Sequence, residues 1–214
     1  MDRYKNEREQ MVEHQIARKG VRDERVLKAM RTVPRHLFVP KYARSHAYAD
    51  SPVQIGSGQT ISQPFIVALM TELLDVEPKH RVLDVGTGSG YQAAILAELA
   101  EEVYSIERHP ELAESARQVL VELGYDNVQV VVGDGTRGYP PGAPYDRIIV
   151  GAAAPSVPHA LLDQLAPGGR LVLPVGPRYT QQLEVWERHE DKFKRSTNIP
   201  VVFVPLIGEE GWEG

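Results

Sequence analysis

No cysteine occurs in the 214 residues. That excludes disulfides, thiolate metal sites and a cysteine nucleophile, and it fits a reducing compartment. No apolar run approaches the roughly 20 residues a helix needs to cross a bilayer. The opening MDRYKNEREQ lacks the apolar core of a signal peptide, so a cytoplasmic protein with no membrane partner is expected. Excess positive charge is also missing: the formal balance is −5, which argues against a general nucleic-acid-binding surface. Arginines and lysines do cluster between Arg18 and Arg44, where they read as a solvated helical face. No H-E-x-x-H motif appears, and His36, His46, His109 and His159 form no ligand set. They read as surface or helix-end residues, and no metal is expected. What is present is ordinary for a globular chain: 42% hydrophobic and 25% charged residues, enough to bury a sizeable core in a single domain spanning 1–214.

Three regions differ in pattern, at 1–64, 65–176 and 177–214. In the first, residues 4–19 read as a helix with Met11, Val12, Ile16 and Ala17 as a thin apolar stripe and Gly20 as a stop. A second helix fits 23–32, capped by Asp23, with Val26, Leu27 and Met30 on one face. Pro34 and Pro40 then break the pattern. SPVQIGSGQTISQP (51–64) is a loop by composition. Ser62 stands where it could cap a helix over 65–74, with Pro64 in the first turn. That helix is expected to turn Phe65, Leu69, Met70 and Leu73 toward a core.

From Arg81 the chain alternates. Strands fit 81–85, 102–106, 128–132, 147–150 and 170–174, and helices fit 91–99, 110–123 and 158–165. Near-continuous apolar strands joined by helices imply a parallel sheet covered on both faces, doubly wound by the right-handed crossover rule. Residues 182–188 and 200–206 look like strands with no helix between them, an antiparallel pair closing one edge. The fold class expected is α/β, a Rossmann-like sheet of seven strands with an N-terminal helical addition.

VLDVGTGSG (82–90) follows a strand and opens a helix. Dinucleotide folds use G-x-G-x-x-G, because a pyrophosphate sits on the helix N-terminus. Here Gly86, Gly88 and Gly90 form G-x-G-x-G, and Tyr91 occupies the place of the third dinucleotide glycine. Asp84, two residues before the loop, would repel a pyrophosphate and suit the ammonium of an amino-acid moiety. Alternatively it satisfies loop N–H groups. Glu107 ends the second strand, where an acid grips ribose hydroxyls. Asp134 and Gly135 follow the third strand, where an Asp can accept from an adenine amino group. Each feature has a plain reading: a packing turn, a helix-cap acid, a turn former. In this order and spacing they point to S-adenosyl-L-methionine ahead of a nicotinamide.

VLDVGTGSGY, VYSIE, VVGDG and LAPGGRLVLPVG are similar to the ordered motifs of class I methyltransferases. GQTISQP (58–64), YDRIIVGAAA (145–154), PVG (174–176) and VVFVPL (201–206) are more specific. Together they resemble protein-L-isoaspartate O-methyltransferases, over about residues 11–206. The resemblance implies methyl transfer from S-adenosyl-L-methionine to the free α-carboxylate of L-isoaspartyl residues in damaged proteins. The product is S-adenosyl-L-homocysteine, and the ester then collapses to a succinimide that yields some normal aspartate. It also implies Ser62 as the active-site serine, Gln59, Thr60 and Ile61 lying over the cofactor, and last strands rearranged relative to other methyltransferases.

A carboxylate is ionised near pH 7, its unperturbed pKa being about 4, so it needs no general base before attacking a sulfonium methyl. Ser62 is then expected to donate a hydrogen bond to the substrate carboxylate, beside or instead of capping. Gln181, after the PVG strand, is expected to contact the cofactor or close the substrate cleft, with a solvated strand-end amide as the alternative. Trp186 and Trp212 fit core or interface equally. Three other functions stay open. A methyltransferase acting on nucleic acid or a small molecule is disfavoured, because amino-methylating relatives often carry an N-P-P-Y-like motif where GAAA (151–154) stands. A nicotinamide oxidoreductase is disfavoured by the glycine spacing, and a non-catalytic sensor by the intact GQTISQP. The first ten and last eight residues carry none of the resemblance.

Overall fold

In the computed structural model, which describes residues 3–213, the chain enters through α1 (Arg3–Gln10). It continues unbroken through a wide π turn at Met11–Ile16 and a tight 3₁₀ turn at Ala17–Lys19. The stretch expected as one helix is therefore wound in three ways. The wide turn buries Met11, Val12 and Ile16 of the expected stripe, while Ala17 is half-buried. The chain stops at Gly20, as expected. α2 (Glu24–Thr32) starts at Asp23, whose carboxylate accepts from the Arg25 amide, and it buries Val26, Leu27, Ala29 and Met30.

Residues 51–64 are more than a loop. They contain an antiparallel hairpin of β1 (Val53–Gly56) and β2 (Gln59–Ile61). Gly56, Ser57 and Gly58 at its tip all have positive φ, and these turn residues dominate the composition. Pairing was hidden because only Val53, Ile55 and Ile61 carry the apolar alternation. In α3 (Pro64–Leu74) the N-cap position falls on Gln63 and not on Ser62, and the Gln63 side chain makes no capping hydrogen bond. Its buried face is Val67, Ala68, Met70, Thr71 and Leu74, while Phe65, Leu69 and Leu73 are only partly covered. The face is thus rotated from the expected one.

The remainder is β3 (Arg81–Val85), α4 (Tyr91–Ala97), β4 (Glu102–Glu107), α5 (Pro110–Glu122), β5 (Val128–Val132), β6 (Tyr145–Val150), α6 (His159–Asp163), β7 (Leu165–Val175), β8 (Gln181–His189) and β9 (Lys192–Val201). These build a seven-stranded sheet in the order β5-β4-β3-β6-β7-β8-β9. β8 and β9 are antiparallel additions to a parallel set. Two hydrophobic clusters cover it. One packs Val82, Val103 and Ile149 against the N-terminal helices, α3 and α4. The other packs Leu83, Val85 and Ile148 around α6. Among the described residues no helix is long and apolar enough to cross a membrane.

The last strand departs from expectation. It spans Lys192–Val201, and the chain leaves the sheet where 200–206 had been read as a strand. Its residues KFKRSTNIPV are nearly all exposed, so an edge strand left no apolar signature. The residues that carried one, 202–206, instead cross to the strand ends, where Ala153 exchanges hydrogen bonds with Val204 and Leu206. β4 lies on one side of β3 and β6 on the other. The chain therefore winds away from β3 in both directions, and a crevice opens at the carboxyl ends of these strands.

Candidate active site

The crevice is built from the loop after β3. The amides of Gly86 and Thr87 donate to the Ile106 carbonyl at 2.8 and 3.2 Å, and the Gly151 amide donates to the Val85 carbonyl at 2.8 Å. Three strand ends are thereby tied together. Gly88 has φ 53°, and a Cβ there would lie 3.3 Å from Ile55 Cδ1, so the hairpin sits directly on the loop. Gly86 and Gly88 border two adjoining cavities. Gly90 borders neither. A Cβ there would sit 3.1 Å from Ala116 Cβ, so this glycine lets α4 approach α5.

Asp84 is wholly buried in the wall of the first cavity. Its Oδ2 accepts from Ser105 Oγ at 2.7 Å, and Ser105 Oγ also bonds Thr87 Oγ1 at 2.6 Å. Its Oδ1 has no partner among the described residues, so Asp84 does not serve the loop amides. Burial pushes its carboxyl up to about 7, partly offset by the Ser105 hydrogen bond and reinforced by Glu107. An unmet carboxylate oxygen at such a depth is costly. It suits a cationic donor, as an amino-acid ammonium is.

Glu107 is 5% exposed, which rules out the solvated cap acid. Its Oε2 accepts from the Gly88 amide at 2.8 Å and its Oε1 from the His109 amide at 2.9 Å. One lone pair remains on each oxygen. It borders the second cavity with Gln59, Thr60, Gly135 and Ile207. Asp134 stands just outside. Its Oδ1 accepts from the Thr136 amide and hydroxyl at 2.9 and 2.7 Å, and its Oδ2 from the Glu209 amide at 2.9 Å. Burial would raise its pKa, yet these hydrogen bonds outweigh burial and hold it below the usual value. Asp134 thus clasps the C-terminal turn that delivers Ile207, with one lone pair of Oδ2 to spare.

Thr60 borders the first, second and third cavities, Ile61 the first, and Ser62 the first and third. The third is the large one, about 620 Å³, walled by Pro52, Ser62, Gln63, Ile66, Val202 and Phe203 among others. The Ser62 carbonyl accepts from Arg35 Nη2 at 2.7 Å, whereas its hydroxyl is left free by the described residues. Phe203 borders both the first and third cavities and, with Thr60, Ser62 and Gly151, forms the wall they share.

Gln181 is not the solvated strand-end amide. It is 1% exposed and borders none of these cavities. Its Nε2 donates to the Pro177 carbonyl at 2.7 Å and its Oε1 accepts from the Phe203 amide at 2.9 Å. It therefore pins the shared wall. Sequence reasoning also missed Phe203 itself, assigned to a strand, and Arg35, assigned to a solvated face but wholly buried. His36, read as surface, is buried with Nδ1 2.8 Å from the Tyr48 hydroxyl. The tail, which carried none of the resemblance, is tied down: the Glu210 amide donates to Thr136 Oγ1 and Trp212 Nε1 to the Ala153 carbonyl, both at 3.1 Å. Among the described residues no cluster of metal-binding side chains occurs.

The sequence profile of the protein-L-isoaspartate(D-aspartate) O-methyltransferase family matches residues 6–211. The chain belongs to this family. It is 57% identical to the protein-L-isoaspartate O-methyltransferase of Methanoculleus marisnigri over 213 residues, covering 100% of this chain and 97% of that one. It is 54% identical to the enzyme of the same name from Methanopyrus kandleri, covering 98% and 95%. Among solved structures, a protein-L-isoaspartate O-methyltransferase superposes with a TM-score of 0.86 at 29% identity, over 95% of this chain and 67% of the other. A Plasmodium falciparum relative, solved in complex with S-adenosyl-L-homocysteine, gives a TM-score of 0.81 at 28% identity, over 94% and 98%. The residues present fit an adenosyl amino acid, since Asp84 Oδ1 lacks a partner and Gly86 and Gly88 leave the loop backbone open to close approach.

Proposed function

We propose that this enzyme transfers the methyl group of S-adenosyl-L-methionine to the free α-carboxylate of L-isoaspartyl residues in damaged peptides and proteins, leaving S-adenosyl-L-homocysteine. The observation that carries this reading is the meeting of two unlike cavities at Thr60, Ser62 and Phe203. One ends in a buried carboxylate with an unmet oxygen. The other is wide enough for a peptide segment. The cytoplasm is the proposed compartment, on the strength of the cysteine-free composition.

Asp84 takes the ammonium of the methyl donor, and the backbone of Gly86 and Gly88 lies against its amino-acid portion. Glu107 uses its remaining lone pairs on the ribose hydroxyls. Gly135 and Asp134 Oδ2 meet the adenine end, and Gln59, Thr60 and Ile61 form the cover. Bound S-adenosyl-L-methionine supplies an electrophilic methyl on a sulfonium. Ser62 donates its hydroxyl to one oxygen of the substrate carboxylate and leaves the other to attack. No side chain has to remove a proton, because the carboxylate is ionised at neutral pH. Phe203 and the hairpin exclude water around the attacking oxygen, so alignment and desolvation are the chain's contribution. Orientation of this kind supplies up to roughly 7–11 kcal/mol of barrier lowering.

Two synthetic peptides that differ only in one aspartyl or isoaspartyl linkage test the reading with labelled S-adenosyl-L-methionine. Base-labile label on the isoaspartyl peptide alone is expected. Label on neither peptide, with the cofactor still bound, would exclude it.

A further inference from the structure

Arg35 is a buried charge that the chemistry above leaves without a task. It is 0% exposed, and the groups acting on its charge are the phenols of Tyr91 and Tyr48 rather than a carboxylate. Its Nη1 is buried without a partner among the described residues. Removing a guanidinium from water on such terms is expensive, and an apolar residue of similar size usually packs as well or better.

What Arg35 touches is specific. Its Nε donates to the Ala47 carbonyl at 2.7 Å and its Nη2 to the Ser62 carbonyl at 2.7 Å. Its guanidinium lies 4.9 Å from the centroid of the Tyr91 ring. Ser62 carries the hydroxyl assigned to the substrate carboxylate. Tyr91 is the first residue of α4, directly after the glycine loop, and borders the same cavity as Ser62. One planar group therefore holds the Ser62 peptide on the acceptor side and lies over the Tyr91 ring on the donor side. A guanidinium has both a fork of donors and a stacking surface, and an ammonium has neither.

We infer that Arg35 is a positioning residue for methyl transfer, holding the Ser62 peptide in fixed relation to the glycine loop so that the carboxylate and the methyl donor come into line. The inference rests on the reading of Ser62 as the group that holds the carboxylate. Arg35 borders neither the first cavity nor the third, so it acts through Ser62 rather than on substrate.

The test is a double-mutant cycle on Ser62→Ala, Arg35→Met and Arg35→Lys. It reads kcat and KM on an isoaspartyl peptide, Kd for S-adenosyl-L-homocysteine, and the thermal midpoint. A misplacement of the reacting groups by about 1 Å costs up to about 10²-fold, so Arg35→Met is expected to lower kcat by about 10- to 100-fold with little change in Kd. Arg35→Lys, which keeps the charge and one donor, recovers part of that loss. In the Ser62→Ala background a further Arg35→Lys change costs no more than about twofold, since coupled residues are not additive. Should Arg35→Met fail to fold, Arg35→Lys completes the cycle alone. A lowered thermal midpoint with kcat kept in the folded Arg35 variants, or losses that multiply in the double variant, overturns the inference and leaves the Ser62 reading intact. Unchanged kcat in Ser62→Ala overturns both.

Discussion

The proposed methyl-donor side and the proposed acceptor side of the crevice are built on different principles. Apart from its cover, the donor side is local: Asp84, Gly86 and Gly88 lie within five consecutive residues, Glu107 ends the next strand of the same sheet and Gly135 follows the one after it. The acceptor side is assembled from afar. Ser62 comes from the link between β2 and α3, Phe203 from the chain beyond β9, Gln181 from the start of β8 and Arg35 from a turn after α2. A local site is held by the sheet whatever else changes. A composite one depends on hydrogen bonds between segments, such as that from the Phe203 amide to Gln181 Oε1. Mutations should therefore split cleanly, with donor-side changes moving cofactor affinity and acceptor-side changes moving turnover.

The largest expected effect is on turnover. Ser62 fixes the position of the attacking carboxylate, and a misplacement of about 1 Å costs up to about 10²-fold, so Ser62→Ala should lower kcat by about 10²-fold with cofactor affinity kept. A steady-state assay beside calorimetry checks both halves. Equal loss of Kd and kcat would break the division.

Asp84→Asn addresses the other side. A charge-assisted hydrogen bond contributes about 1.5–3 kcal/mol, so Kd for S-adenosyl-L-homocysteine should weaken by about 10- to 100-fold while peptide KM holds. The pH dependence sharpens this. With the Asp84 carboxyl raised from 3.8 to about 7, the cofactor-free protein keeps this proton through the acid range. Cofactor affinity should fall as pH drops below about 7, and Asp84→Asn should flatten that limb. The sign for folding is opposite. The folded state binds the proton more tightly than the unfolded state between 3.8 and about 7, so this group's share of stability declines as pH rises through that window. Bound cofactor should reverse the decline. Isothermal titration and thermal melts at pH 6 and pH 8 measure both.

The smallest effect expected is that of Gln181→Leu, which frees the Phe203 amide and the Pro177 carbonyl. The bond to the Phe203 amide is worth about 1 kcal/mol, so peptide KM should rise about fivefold with little change in Kd. A change in Kd alone would place Gln181 on the donor side.

The same contrast explains what the sequence disclosed. The glycine loop, Glu107 and the five parallel strands were readable because each rests on neighbours in the chain: an apolar run, a turn, then a polar group at the strand end. β9 was misplaced because an edge strand of lysine, arginine and serine buries almost nothing, while the apolar VVFVPL owes its character to cavity walls. A capping role for Ser62, beside or instead of its hold on the carboxylate, was suggested by Pro64 two residues on, yet the N-cap position belongs to Gln63. Arg35 looked solvated because nothing local marks a guanidinium whose partners are the carbonyls of Ala47 and Ser62 and the ring of Tyr91. The clasp between Asp134 and Glu209 joins residues 75 positions apart, beyond the reach of any local pattern.

The most direct test is a crystal structure with S-adenosyl-L-homocysteine and an isoaspartyl peptide bound together. The expected result has the ammonium of S-adenosyl-L-homocysteine on Asp84 Oδ1 and the peptide α-carboxylate on the Ser62 hydroxyl, with Phe203 between the two ligands' flanks. A carboxylate seated away from Ser62, or an ammonium facing solvent with Asp84 Oδ1 still unpartnered, would contradict the division of the crevice into a local donor side and an assembled acceptor side.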